Sequence, residues 1–183
     1  MPQNVIDLLT ADHREFTDMV EELLRTEEPE RRRELADTII GQLVRHSVAE
    51  ETIVYPVMSS QLENGAQAVE HDTREHKKLE ELMKQMEDCK VGEPAFLDLV
   101  TELQEVLADH VSDEEDEQFP TLRAHVPDDQ LTAMGLEVEA LKKVAPTRPH
   151  PSAPNNALFH LTVGPGVGMV DRLRDALSTK THV

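Results

Sequence analysis

Tryptophan is absent, and tyrosine and cysteine occur once each, so aromatics make up only 3% of the 183 residues. A core with so few large rings has to be filled by Leu, Val, Ile, Met and Ala, which is the material of packed helices. The single Cys89 excludes an internal disulfide and suits a reducing compartment. No stretch reaches the ~20 apolar residues that span a bilayer. The opening Met1-Pro2-Gln3-Asn4-Val5-Ile6-Asp7 lacks a basic, apolar leader. No run alternates with the period of two that marks a strand. A cytoplasmic, all-α protein is therefore expected.

Positive charge is also scarce. Eighteen Lys and Arg stand against 37 Asp and Glu, a net charge of -19 with His neutral. Such a surface repels phosphate backbones and anionic lipid, so neither nucleic acid nor a membrane is expected as a partner.

What the chain does contain is a pattern that occurs twice. His46, Glu50, Glu51, Tyr55, Pro56 and Met58 are matched in order and spacing by His110, Glu114, Glu115, Phe119, Pro120 and Leu122. Upstream, Asp12-His13-Arg14 is matched by Glu75-His76-Lys77, each followed by an apolar run. The chain reads as two copies of one helical hairpin. Each carries a His on its first helix and His-x-x-x-Glu on its second.

Helical spacing predicts a first helix from about Asn4 to Arg25, and a second that opens near Pro29 and is kinked or ended by Pro56. After the Asn64-Gly65 turn, a third helix is expected over about Gln67 to Asp88 and a fourth over Ala95 to Leu122. A short fifth follows Pro127 and reaches about Lys143. The domain reading is a bundle over 1–144 and a tail over 145–183. The tail begins as a Pro-rich linker, with Pro146, Pro149, Pro151 and Pro154, and ends in a small amphipathic helix over Met169 to Leu177. Gly164 to Gly168 precedes that helix, but no Gly-Lys-Ser/Thr or preceding strand supports a phosphate loop.

Side chains at i and i+4 share a helix face, so His46 with Glu50 and His110 with Glu114 each present a nitrogen and a carboxylate together. Two antiparallel hairpins related by a pseudo-twofold bring both pairs to the bundle centre, where His13 and His76 add one imidazole per half. Two metal ions could share the glutamates while each takes its own pair of imidazoles. Mixed nitrogen and oxygen ligation suits iron, with manganese and zinc as rivals. A lone His-x-x-x-Glu is usually a surface ion pair. Two copies on apolar helix faces are hard to explain that way, because burying four imidazoles and two carboxylates without a metal is costly. The structural alternative is a duplicated scaffold whose His and Glu merely hydrogen-bond.

Over about Asn4 to Leu122, the order His13, His46-x-x-x-Glu50, His76, His110-x-x-x-Glu114 resembles the hemerythrin-like HHE cation-binding domain. The resemblance implies an antiparallel up-down-up-down four-helix bundle. It also implies a non-heme di-iron centre, oxo- or hydroxo-bridged, that binds dioxygen or reacts with peroxide. The chain departs from the family's oxygen carriers, which place two histidines four apart on the third helix. Here Asp72 lies four before His76 and His71 five before, so either is an additional ligand or an orienting partner. Glu51 and Glu115 are alternative bridges. Tyr55 is either a packed aromatic lid or a phenolate ligand. His125, His150, His160 and His182 read as surface residues. The ferritin-like rival needs Glu-x-x-His, which none of the nine histidines provides.

Three function classes follow. One is a di-iron protein that binds or senses dioxygen, peroxide or nitric oxide under oxidative stress. The second is a peroxide-disproportionating, catalase-like enzyme. The third is an iron store or interaction module. A monomer or small homo-oligomer fits each.

Overall fold

The computed structural model describes residues 2–151 together with Val167 and Asp171. Among these residues every regular element is helical, as expected. The helix and phosphate loop considered for the tail lie outside the described residues, apart from those two positions.

Helix α1 spans Val5–Arg25 and is capped by Asn4, whose side-chain oxygen accepts from the Asp7 amide at 3.0 Å. Helix α2 spans Pro29–Ala49, with the proline where a missing N–H costs nothing. It does not stop at Pro56. A π-helical turn over Glu50–Val54 leads into α3, Tyr55–Gln61, and the Tyr55 amide donates to the Glu50 carbonyl. The second half repeats this design. Helix α4 spans Gly65–Asp88 and α5 spans Pro94–Asp113; a π turn over Glu114–Gln118 leads into α6, Phe119–His125. Both prolines explain the wide turns. Pro56 and Pro120 have no N–H to give and would collide with the carbonyl four residues back, so one extra residue in the turn relieves the clash. Helix α7, Asp128–Lys142, is the expected fifth rod.

The α3–α4 turn depends on Asn64, which takes the left-handed conformation at φ 62°. Gly65 then opens α4 so close to α3 that a Cβ there would lie 2.1 Å from the Met58 carbonyl oxygen. Helix α7 approaches α1 in the same way, since a Cβ on Gly135 would lie 2.3 Å from the Gln3 carbonyl oxygen. No side chain larger than hydrogen fits at either point.

The apolar interior falls into two clusters. One is built around Phe16, Leu23, Ile39, Leu79, Met83 and Phe96. The other is built around Leu9, Val54, Met58, Phe119, Leu122 and Leu131. Between them lies a layer of buried His and Glu.

The segment after α7 is not a free linker. Ala145, Pro146 and Pro149 are buried, Arg148 pairs with Glu87 at 2.6 Å, and the His150 amide donates to Glu80 at 2.8 Å. His150, expected on the surface, is only partly exposed and pairs through Nε2 with the buried Asp171 at 3.0 Å. The first part of the tail therefore lies along the bundle.

Candidate metal centre

Each rod of the four-helix core contributes one buried imidazole: His13 from α1, His46 from α2, His76 from α4 and His110 from α5, none more than 2% exposed. They meet as two pairs. The Nε2 atoms of His13 and His46 are 3.1 Å apart, and those of His76 and His110 are 3.2 Å apart. The carboxylates of Glu50 and Glu114, wholly buried, lie between the pairs. Glu50 places Oε1 3.0 Å from His46 Nε2 and Oε2 3.3 Å from His76 Nε2. Glu114 places Oε2 3.4 Å from His13 Nε2 and 3.8 Å from His110 Nε2.

The far nitrogen of every ring is held by a carboxylate. His13 Nδ1 meets Glu115 at 2.9 Å, His46 Nδ1 meets Asp12 at 3.0 Å, His76 Nδ1 meets Glu51 at 2.9 Å, and His110 Nδ1 meets Glu75 at 3.1 Å. A carboxylate only accepts, so in the neutral ring each Nδ1 carries the proton and each Nε2 turns a lone pair inward. Facing lone pairs repel unless a cation lies between them. Imidazole nitrogens bind a divalent ion at about 2.0–2.1 Å, so two neighbouring ligands at right angles are about 3 Å apart, which is the spacing found here. Both oxygens of Glu50, and Oε2 of Glu114, are buried without an aligned hydrogen bond among the described residues. These orphaned acceptors and inward lone pairs fit a pair of cations.

The electrostatics agree. Without metal, burial opposes charge on Glu50, yet protons on the adjoining His46 and His76 outweigh it and hold this carboxyl well below its ordinary range. Glu50 and the Nδ1 carboxylates in turn overcome burial to raise both imidazoles, so positive charge is drawn into the centre. Burial, reinforced by the charge of Glu50, pushes Glu114 well above its ordinary range. Two carboxylates in one dry cavity cannot both ionise cheaply without a cation.

The six principal ligand candidates thus converge, while the additional candidates separate. Glu51 and Glu115 do not bridge; the π turns carry them to Nδ1 atoms of the opposite half. His71 is half-exposed and points away from the four imidazoles, toward Glu75 and Asp113, each at 3.3 Å. Asp72 is fully buried and accepts from Gln118 at 3.0 Å. Tyr55 is more than a lid. Its ring stacks on His76, with centroids 5.4 Å apart, and its hydroxyl lies 3.2 Å from His76 Nε2 and donates to Glu114 Oε1 at 3.3 Å. Burial, then the charge of Glu114, raises its phenol well above the ordinary value, so the proton stays on oxygen. Its counterpart Phe119 stacks on His13 at 5.9 Å.

Two orienting residues escaped the sequence reading, Asp12 and Glu75. Their signal was present: each immediately precedes the first-helix His of its half.

The chain resembles known proteins in both sequence and fold. The family model of the hemerythrin HHE cation-binding domain matches residues 4–122. An uncharacterized hemerythrin-like protein of Schizosaccharomyces pombe is 30% identical over 174 residues, covering 94% of this chain and 86% of its own. A DNA nickase of Nostoc is 27% identical over 139 residues, covering 76% of this chain but only 39% of its own. The crystal structure of an HHE cation-binding domain protein from Mycobacterium kansasii shares the fold, with a TM-score of 0.67 at 20% identity over 77% of this chain and 86% of that one.

Proposed function

The chain belongs to the hemerythrin HHE cation-binding domain family, and from that premise we propose that it is a non-heme di-iron protein that binds or reacts with dioxygen or peroxide in the response to oxidative stress. His13 and His46 would hold one iron, His76 and His110 the other, and Glu50 and Glu114 would be shared between them. The observation that carries this reading is the set of four Nε2 atoms turned inward in two pairs, each ring fixed from behind by its own carboxylate. Bound iron supplies reversible oxidation and open positions for a small oxygen ligand. The protein's part is to orient the imidazoles, exclude water between two apolar clusters, and keep a proton on Tyr55 Oη beside the centre. The donor set also accommodates manganese or zinc.

Catalase-like disproportionation of peroxide is the second reading, and Tyr55 favours it. That chemistry needs a proton held at the reacting oxygens, and the Tyr55 hydroxyl is a buried donor among the inward-facing ligands. Cleavage of DNA, named for the Nostoc relative, has no support in a net charge of -19.

The test is elemental analysis of protein expressed with iron, beside a His46→Ala/His110→Ala variant. About two irons per chain, lost in the variant while helicity remains, is the expected result. A folded wild-type protein without metal would overturn it. Turnover of added peroxide then separates the enzyme from the binding or sensing protein.

A further inference from the structure

We propose that His71, Glu75 and Asp113 form a surface capture site for divalent metal ions, from which each ion moves inward past Glu75 and Asp72 toward the four-histidine centre. The inference rests on the reading that the four-histidine centre holds metal; it concerns how the ions arrive.

Three donor sets overlap in space. Ligand atoms of His71, Glu75 and Asp113 lie within 4.8 Å of one another, as do those of Asp72, Glu75 and His110, and those of Glu50, His76 and His110. The first and second sets share Glu75, and the second and third share His110. A single carboxylate joins surface to interior, since Glu75 Oε1 lies 3.3 Å from His71 Nε2 and Oε2 lies 3.1 Å from His110 Nδ1. Along this line exposure falls from about half at His71 and Asp113, through 15% at Glu75, to 2% at His110.

Asp72 supplies an independent observation. It is fully buried; Oδ1 accepts from Gln118, and Oδ2 has no hydrogen-bond partner among the described residues. An unsatisfied carboxylate oxygen in the interior is costly. A cation moving inward past Glu75 would give it a partner. Imidazole with two or three carboxylates is a donor set for ferrous iron and its neighbours in the first transition row, and a poor one for soft monovalent ions.

The internal duplication provides a control. In the first half the positions of His71, Asp72 and Asp113 are Leu8, Leu9 and Ala49. Glu75 corresponds there to Asp12, which is paired with Lys142 of α7. That corner offers no exposed imidazole in place of His71 and covers its carboxylate with a cation. Among the described residues, such a surface donor set therefore occurs in the second half alone.

The test uses metal-free full-length protein and a His71→Leu/Asp113→Ala variant, which copies the first half's residues. Ferrous iron is added without oxygen, and chelator-accessible iron is followed in time. Loss of a focusing acidic cluster is expected to slow uptake about tenfold or more, with the final iron content and the thermal midpoint of the metal-free protein unchanged. Equal rates would overturn the proposal. So would a lower final content, which would make these residues resident ligands. A second arm removes the inner site with Glu50→Gln/Glu114→Gln and titrates manganese(II) by electron paramagnetic resonance. One weakly held ion, abolished by adding His71→Leu/Asp113→Ala, is expected; no bound ion would count against capture. If the wild-type centre took up no iron at all, the di-iron reading would fail, while this arm would still report on the surface site.

Discussion

Glu50 spans the two histidine pairs, with Oε1 3.0 Å from His46 Nε2 and Oε2 3.3 Å from His76 Nε2. Its counterpart Glu114 is less even, because one of its oxygens is engaged by the Tyr55 hydroxyl. The cluster is thus duplicated in its histidines and glutamates and unequal in its surroundings.

The orienting carboxylates should matter almost as much as the ligands. Asp12→Asn and Glu115→Gln each replace an ionised acceptor behind an imidazole, at His46 and His13 respectively. Each is expected to weaken metal affinity about 10- to 100-fold with the helices intact. Competition against a chelator of known affinity measures it, and unchanged affinity would remove these residues from the centre's design.

Tyr55→Phe makes the two halves alike at this position. Stacking on His76 is retained and two hydroxyl contacts are lost. Metal-free stability should change by no more than about 1 kcal/mol. If the protein disproportionates peroxide, turnover should fall about 100-fold or more through loss of the proton donor. Calorimetry and oxygen evolution read the two effects separately.

Much of this was legible in the chain. His-x-x-x-Glu announces its geometry because residues four apart share a helix face, and its recurrence 64 residues later marks His110 and Glu114 as equivalents of His46 and Glu50. Contacts between helices were less accessible. Which carboxylate reaches an Nδ1 depends on packing across the bundle, so Asp12 and Glu75 were visible as repeated neighbours of His13 and His76 but not as partners of His46 and His110, and Glu51 and Glu115 read as bridges. Pro56 and Pro120 signalled a break, but a π turn absorbs each one, and from those turns Glu51 and Glu115 reach the Nδ1 atoms of His76 and His13. His71 and Asp72 looked alike as neighbours of His76; adjacent positions diverge by about 100° on a helix, and one faces solvent while the other is buried.

Glu114 should cost the metal-free protein stability. Burial and the charge of Glu50 hold its carboxyl toward the neutral form, and a leucine of similar volume removes that burden. Glu114→Leu is expected to stabilise the metal-free protein by about 1–2 kcal/mol while abolishing metal binding. Chemical denaturation of both metal-free proteins measures the difference, and a destabilised variant would contradict the argument.

Acid should strip metal before it unfolds the bundle. Burial opposes ionisation of Asp12 and Glu75, but pairing with His46 and Lys142, and with His110, overrides it; Glu115 is lowered chiefly by its hydrogen bond to His13. Depressed carboxylates contribute stability that is present above their ordinary values of 3.8 and 4.5 and lost as pH falls through the lower folded values. Glu114 is displaced the other way, above 4.5, and must lose its proton to hold an ion. Iron retained after gel filtration should therefore fall at higher pH than helical circular dichroism, and coincident transitions would refute this.

The Nδ1 carboxylates of His13 and His76 are exchanged between halves: Glu115 serves His13 and Glu51 serves His76. A polypeptide of half this length could reproduce the arrangement only as a pair of identical hairpins, each lending a carboxylate to its twin. Fusing the twins into one chain releases them from identity. Tyr55 can then differ from its counterpart Phe119, and Asp72 and Gln118 from their counterparts Leu9 and Val54, a division of labour that no symmetric pair can encode.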